Sequence, residues 1–273
     1  MTEPVDWGAN LLRKITDKDA TEYHHNTFAW LQELARSVKF NKRDAQIAFT
    51  GARSKGKSSA ALAISMMLTQ PELGCIVFDM KLCTCFSVET IGEIIRSSSA
   101  ESEHSYIMDE SLDIVDSRDS LSRMNKAINK FMNSARKMRN IYSWCVPEFT
   151  DLDTRIRKNI IKYWIHMYHQ TEHEERDKRY AIGALFMKDL NPGNKDKWGL
   201  EFMEKWKKPI YDHEGLYKMF RRTPSFCGNL AFPILPQSIE DEYEAISKQA
   251  IGQRGTDFNR DFGKKPIKTD DGN

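Results

Sequence analysis

At 273 residues, with 40% hydrophobic and 29% charged side chains, the chain is long enough to bury a core and too apolar for an unstructured polymer. The prior from length is one domain with appendages or two small ones. Its 41 basic and 39 acidic residues leave a net charge of +2, which by itself says little about partners. Five cysteines, an odd number in a chain too large to need staples, exclude a disulfide scaffold and predict free thiols in a reducing cytoplasm. No apolar run approaches the roughly 18 residues of a spanning helix, nothing resembles a signal peptide, and no internal repeat is evident.

Within residues 1–43, Phe28, Leu31, Leu34, Ala35 and Val38 recur at helical spacing with Trp30 beside them. The apolar face of this predicted helix must dock, either on the core or on a neighbouring subunit. His24 and His25 read as a solvated helix end rather than a metal pair. Asn41-Lys42-Arg43-Asp44 matches the N-K-x-D pattern that reads guanine in GTPases. That pattern normally follows the phosphate loop by most of a domain. Here it precedes the phosphate-loop match by seven residues, too few for the intervening strands, so guanine specificity is unsupported.

Gly51-Ala52-Arg53-Ser54-Lys55-Gly56-Lys57-Ser58 matches G-x-x-x-x-G-K-[ST], the loop that cradles nucleoside-triphosphate phosphates. Two glycines let successive backbone N–H groups turn inward on an anion. Lys57 then reaches the β- and γ-phosphates, and the Ser58 hydroxyl becomes a ligand for Mg²⁺. Residues 51–59, Ser59 included, are the candidate ATP contacts. The flanks fit: 46–50 reads as a short buried strand, and 58–68 as an Ala-, Met- and Leu-rich helix. The bland alternative is a Gly/Lys/Ser turn without ligand.

Residues 75–79, Cys-Ile-Val-Phe-Asp, read as a strand buried on both faces, and 88–95 as a helix. Ser105-Tyr106-Ile107-Met108-Asp109-Glu110 is a strand ending in two acids. Asp109, 52 residues after Lys57, suits the Mg²⁺ shell, and Glu110 suits polarisation of a water attacking the γ-phosphate. Leu121, Met124, Ile128, Phe131, Ala135 and Met138 make one stripe of a helix over 120–139, with Arg123, Lys126, Lys130 and Lys137 on other faces. From 118 to 162 there are eleven Lys/Arg against four Asp/Glu, a local +7 that favours an anionic partner such as DNA.

Strands are predicted at 141–146 and 163–168, separated by a helix capped by Asp151 or Asp153. His166, His169 and His173 are weighed as satisfied or solvated rather than metal-bound, and Cys75, Cys83 and Cys85 lack the second pair of a zinc site. A charged hairpin tip at 171–179 leads to a strand at 180–187. Aromatic and basic residues interleave over 195–222, which reads as a satellite core with snorkelling lysines in preference to a base-stacking surface. A strand at 230–235, a helix at 239–251 and a disordered tail complete the chain. The fold class is α/β: a RecA-like, doubly wound, mostly parallel sheet over 44–190, an N-terminal helical segment 1–43, a small C-terminal extension 191–252 and a tail 253–273.

Three features together resemble the additional-strand, catalytic-glutamate ATPases of the HerA–FtsK branch. They are Gly51 to Lys57-Ser58, Tyr106-Ile107-Met108-Asp109-Glu110, and Ala135-Arg136-Lys137-Met138-Arg139-Asn140 followed by strand and Asp151-Leu152-Asp153-Thr154-Arg155-Ile156-Arg157. The chain is most similar to the small zonular-occludens-toxin-like ATPases of archaeal viruses and mobile elements, well over 46–168 and loosely to 250, including Pro233-Ile234-Leu235-Pro236 and Ile239-Glu240-Asp241-Glu242-Tyr243-Glu244. The resemblance implies a ring-forming, Mg²⁺-dependent ATPase working as a motor on DNA, of translocation or packaging type. It implies a strand between the loop strand and the Asp109 strand, and an arginine finger from a neighbouring subunit, with Arg136 and Arg139 first and Arg155 and Arg157 next. The sequence departs from the family where the DNA pumps carry a Thr-Gln pair and this chain carries Cys145-Val146-Pro147-Glu148. Two alternatives stand beside the motor: an ATPase of virion or protein-complex assembly without DNA contact, and a nucleotide-gated binding module.

Overall fold

The computed structural model describes residues 5–85, 103–109, 139–191, 193–206, 210 and 212–262, with side chains through 250. It divides into two compact units, Met1–Pro236 and Gln237–Asn273.

In the first unit, helices α1 (Trp7–Thr16) and α2 (Glu22–Lys39) precede strand β1 (Ala45–Thr50) and helix α3 (Lys57–Met67). Strands β2 (Thr84–Cys85), β3 (Ser105–Met108), β4 (Ile141–Cys145), β5 (Tyr163–Gln170), β6 (Tyr180–Met187) and β7 (Phe226–Pro233) follow. They form one seven-stranded sheet in the order β2-β3-β4-β1-β5-β6-β7. The first five in that order pair in parallel, while β5–β6 and β6–β7 are antiparallel. This is a mixed, mostly parallel α/β sheet consistent with a RecA-like fold, with β4 lying between β1 and β3.

The strands are mostly apolar and mostly buried because both sheet faces are covered. Side-chain alternation along β1 divides them. Gln46, Ala48 and Thr50 share a face with Trp144 and Trp164, whose indole N–H groups donate to Gln46 Oε1 at 2.8 Å and Thr50 Oγ1 at 2.7 Å. Trp164 stacks between Phe149 and Phe186 there, each 4.5 Å away, and Trp198 meets Phe149 edge-on. Trp198, Met219 and Phe220 are buried in this cluster, so these described residues of the aromatic stretch belong to the main core rather than to a satellite, with Phe202, Trp206 and Tyr217 half-buried. The opposite side carries α1, α2 and α3; Phe49 meets Phe232 edge-on, and Leu31, Leu34 and Val38 of α2 are fully buried.

The N-terminal segment docks on the chain's own sheet. Thr27 Oγ1 donates to Ala231 O at 3.0 Å and accepts from Ala231 N at 2.9 Å, which stitches α2 to β7. The sequence reading foresees one helix here. The structure adds α1, N-capped by Asp6, which accepts from Ala9 N at 3.0 Å. His24 is also not a solvated end: it is buried, accepts from Thr21 N at 3.1 Å through Nδ1, and meets Tyr180 edge-on.

The strand expected at 75–79 does not form. Cys75 takes a left-handed φ of +54°, Val77 makes one isolated bridge to His104, and the chain leaves the sheet at Asp79. The Asp79 carboxylate instead caps the short helix Met80–Cys83, accepting from Lys81 N at 2.9 Å and Leu82 N at 3.0 Å. Only Ile76 of the run is fully buried, whereas Val77 is 48% exposed at the sheet margin, so the segment lacks the two-sided burial its composition suggests.

In the second unit, one helix spans Gln237–Phe262. It extends past the 239–251 expected and includes the first ten residues of the segment expected to be disordered; no proline interrupts it. Internal contacts support its first turns, among them the Lys248–Glu244 ion pair at 2.9 Å. The helix expected at 88–95 lies outside the described residues, as does the one expected over 120–139 except for Arg139, which is not helical but takes a left-handed φ of +54°.

Candidate functional site

β1 and its parallel neighbours β4 and β5 deliver their carboxyl ends to one edge of the sheet, the position where open α/β sheets bind ligands. The loop that leaves β1 is fixed from both sides. Towards β4, Val146 N donates to Phe49 O at 3.0 Å and Gly51 N to Pro147 O at 2.9 Å. Towards β5, a Cβ on Gly51 would run into the Met167 carbonyl oxygen, and Gly51 holds φ at +132°, so glycine alone fits there. Gly56, at φ +83°, caps α3, and a Cβ there would lie 3.1 Å from Gln170 Nε2. Ser54 also takes a left-handed φ, +60°. The glycine spacing read from the sequence is thus a backbone requirement.

Residues 52–54 are exposed and 55–59 half-buried at the start of the eleven-residue α3, a helix terminus whose N–H groups and dipole favour an anion. Lys57 Nζ folds over the loop, donating to Gly51 O at 2.8 Å and Ala52 O at 3.1 Å. Burial pulls this ammonium below the ordinary lysine value and Arg53 adds to the shift, with Cys145 and Asp109 opposing. Ser58 Oγ donates to Asp109 Oδ1 at 3.0 Å, and Asp109 N donates to Cys85 O at 2.9 Å. Lys57, Ser58 and Asp109 therefore converge as the spacing predicts.

Ser58 and Asp109 offer one hydroxyl and one carboxylate, a pair of hard oxygens. Mg²⁺ keeps most of its water and takes few protein ligands besides phosphate oxygens, so this small donor set fits it. Among the described residues no group of three or more His, Cys, Asp or Glu is gathered to hold a metal ion. All five cysteines are free.

Two further residues neighbour the loop: Cys145, which the sequence singles out only through the resemblance, and His166, which the sequence reading leaves outside the site. Cys145 ends β4, opposite Phe49, and its thiol shares a hydrogen bond with Ser58. Burial pushes the thiol well above its ordinary pKa and Asp109 adds to this, against Lys57 and the Ser58 hydrogen bond. His166 stands opposite Thr50, and its Nδ1 lies 2.9 Å from Thr50 Oγ1. Burial, with Lys57 adding, lowers its pKa to about 4, so the ring is neutral at physiological pH. Strand register brings both to the loop, and register is not written in local periodicity.

Glu110 and Arg136 lie outside the described residues. Arg139 is at the amino end of β4, the opposite edge of the sheet from this chain's own loop, ion-paired with Glu103 at 3.3 Å. Arg157 folds back on its own segment, donating from Nε to Leu152 O at 2.9 Å, and Arg155 is exposed. Asp153 is the cap of Thr154–Asn159, accepting from Arg155 N at 2.7 Å. Asp44 of the N-K-x-D match is likewise remote from the loop: it is buried at the amino end of β1, where it accepts from Gln46 Nε2 at 3.1 Å.

No family model and no curated protein matches the chain. Among solved structures, it is similar to a chain of the E. coli MS115-1 HORMA:CdnC:Trip13 complex, with TM-score 0.40 and 11% identity over 57% of this chain and 64% of that one. It is also similar to the N-terminal domain of zonular occludens toxin from Neisseria meningitidis, with TM-score 0.35 and 13% identity over 73% of this chain and 98% of that one. This chain thus spans just under two thirds of the first of the two. Among the described residues, no helix is long and apolar enough to cross a membrane.

Proposed function

We propose that the chain binds ATP with Mg²⁺ on the 51–59 loop and hydrolyses it. The observation that carries this reading is the Ser58–Asp109 hydrogen bond beside Lys57, with β4 between the two strands concerned. Loop amides and Lys57 would hold the phosphates; Ser58 and Asp109 would hold Mg²⁺, which would supply positive charge to offset that of the phosphates. Glu110, next in the chain after Asp109, orients a water and takes its proton as the water oxygen bonds to the γ-phosphorus and the bond to ADP breaks. Lys57→Ala should abolish binding of labelled ATP. Glu110→Gln should keep binding and lose roughly a hundredfold or more in turnover. Normal turnover in Glu110→Gln would remove Glu110 from the role.

The finer reading is an oligomeric motor on DNA, supported by the local +7 over 118–162. Part of that charge is engaged within the chain: Arg139 with Glu103, Arg157 with Leu152 and Lys162 with Asp44. The proposal therefore centres on Arg123, Lys126 and Lys130. Single- or double-stranded DNA should raise the ATPase rate, and reversing those three charges should flatten the salt dependence of DNA binding by about one slope unit per lost phosphate contact.

A second reading, a nucleotide-gated binding module, is favoured by one observation. The tip of β4 runs into Cys145-Val146-Pro147-Glu148 where the resembled DNA pumps carry a Thr-Gln pair, so the amide of that pair is missing. ATP-dependent oligomerisation with turnover unaffected by DNA would select it over the motor.

A further inference from the structure

The phosphate loop has two different flanks. Ser58 and Asp109 mark the reacting end of a bound triphosphate on the β4–β3 side. Lys55 and Gly56 lie on the β5–β6 side, where Gly56 packs against Gln170 and Ala181. A triphosphate with its γ end at Ser58 must hand its nucleoside to the other flank. That flank holds an open cleft of about 740 Å³, lined by Lys55, His169, Gln170, Glu172 and Arg179 among others. Its volume is that of an ordinary small-ligand site.

Two features of the cleft suit a base. β5 carries an irregularity between Met167 and His169, and such a bulge next to a site re-aims the side chains beyond it. His169 then stacks on His213, the first residue of helix His213–Phe220, with centroids 4.1 Å apart and planes 17° from parallel. Burial, His213 and Lys55 lower the His169 pKa, with Glu172 opposing, which favours the uncharged ring and its π-face. Gln170 supplies an amide with both donors and an acceptor for a base edge.

We propose that this cleft is the nucleoside pocket of the loop, with the base stacked on His169, which His213 backs, and its edge read by Gln170. The inference rests on the ATP reading above and adds to it the part of the ligand that the loop itself does not recognise.

Calorimetric titration of the full chain with Mg²⁺ and either ATP or inorganic tripolyphosphate separates the two. ATP should bind at least tenfold more tightly than tripolyphosphate. His169→Ala and Gln170→Ala, both in the wall of the cleft, should each weaken ATP by about five- to tenfold and leave tripolyphosphate unchanged, the range expected for losing one stacking or edge contact. Lys57→Ala should weaken both ligands. Equal affinities for the two ligands in the unaltered chain, or variants that weaken both alike, overturn the pocket while leaving the phosphate loop standing. An unaltered chain that binds neither ligand removes the loop reading and the pocket together.

Discussion

Ser58 Oγ donates to Asp109 Oδ1 at 3.0 Å, joining the first turn of α3 to the end of β3 across 51 residues of sequence. β4 runs between β3 and β1, the strand that leads through the loop into α3, so the contact spans a strand that contributes neither side chain. A hydroxyl and a carboxylate held this close are pre-arranged for one hard cation between them.

If Mg²⁺ joins ATP to this pair, Asp109→Ala should uncouple nucleotide affinity from the metal. In the unaltered chain, ATP affinity should rise with Mg²⁺ and fall with EDTA; in Asp109→Ala, titrations with and without Mg²⁺ should coincide. A variant that keeps the full Mg²⁺ effect would place the metal ligand elsewhere.

Gly51→Ala should disrupt the loop from within. The backbone conformation at φ +132° disfavours any side chain, and the added methyl meets the Met167 carbonyl of β5. The cost is on the order of 1–3 kcal/mol if the loop holds, and more if β5 shifts. A lowered melting temperature together with loss of ATP binding is expected. Unchanged values for both would mean that β5 yields freely at Met167.

The loop and its strand and helix are legible in sequence because motif, apolar run and helix formers coincide at 46–68. The strand β6 is legible end to end, Tyr180–Met187, since a charged turn and an Asn-Pro-Gly break bound it. The run at 75–79 misleads because composition reports apolarity and not position: at the sheet margin Cys75 and Val77 face outward, and one bridge is all that forms. His24 misleads through its neighbour His25, since a polar pair near a helix start reads as solvated until the third helical position is seen to face inward. His166 becomes a site residue only through the register Thr50↔His166, and the Cys145 position, flagged in sequence by the resemblance alone, is set by the register Phe49↔Cys145; both depend on strand order. The order itself could be expected only from the resemblance.

His24 gives the fold an acid-sensitive joint. Burial, with His25 adding, lowers its pKa to about 4 from an ordinary value near 6.5. The folded chain thus holds the ring neutral while the unfolded chain binds a proton below about 6.5, so the unfolded state gains protons first. Stability from this group is complete above pH 6.5 and is lost as pH falls towards 4, by up to roughly 3 kcal/mol. Protonation also costs the α2 cap one bond: a protonated Nδ1 cannot accept from Thr21 N, although it can donate to Thr21 Oγ1 at 2.9 Å. His24→Gln keeps an acceptor at the capping position without titrating, so its melting temperature between pH 4 and 6.5 should fall less steeply than that of the unaltered chain. Parallel curves would assign the acid loss to other groups.

Arg139 separates a structural role from a catalytic one. It enters β4 at φ +54° and pairs with Glu103, itself at φ +37°, which also meets Lys39 of α2. Burial works against the Glu103 carboxylate, but hydrogen bonds and charge from Lys39 and Arg139 outweigh it and hold its pKa below the ordinary value. This junction lies at the amino ends of β3 and β4, while the loop lies at the carboxyl end of β1, so any catalytic contact by Arg139 must reach the loop of another subunit. A guanidinium suits that work, since its planar fork keeps its charge and grips two phosphate oxygens. Glu103→Gln breaks the ion pair and leaves Arg139 in place. If Arg139 serves catalysis in trans, Arg139→Ala should retain ATP binding and lose most turnover, Glu103→Gln should retain turnover, and mixing Arg139→Ala with Lys57→Ala subunits should restore activity. The restored interface would pair the intact loop of one subunit with the intact arginine of the other. If instead Arg139 only anchors the junction, Glu103→Gln and Arg139→Ala should lower the melting temperature alike, by the equivalent of about 1 kcal/mol for a partly exposed pair, and turnover should follow folded fraction alone. Failure of mixing to restore activity while subunits demonstrably exchange would leave the anchor as the whole of its role.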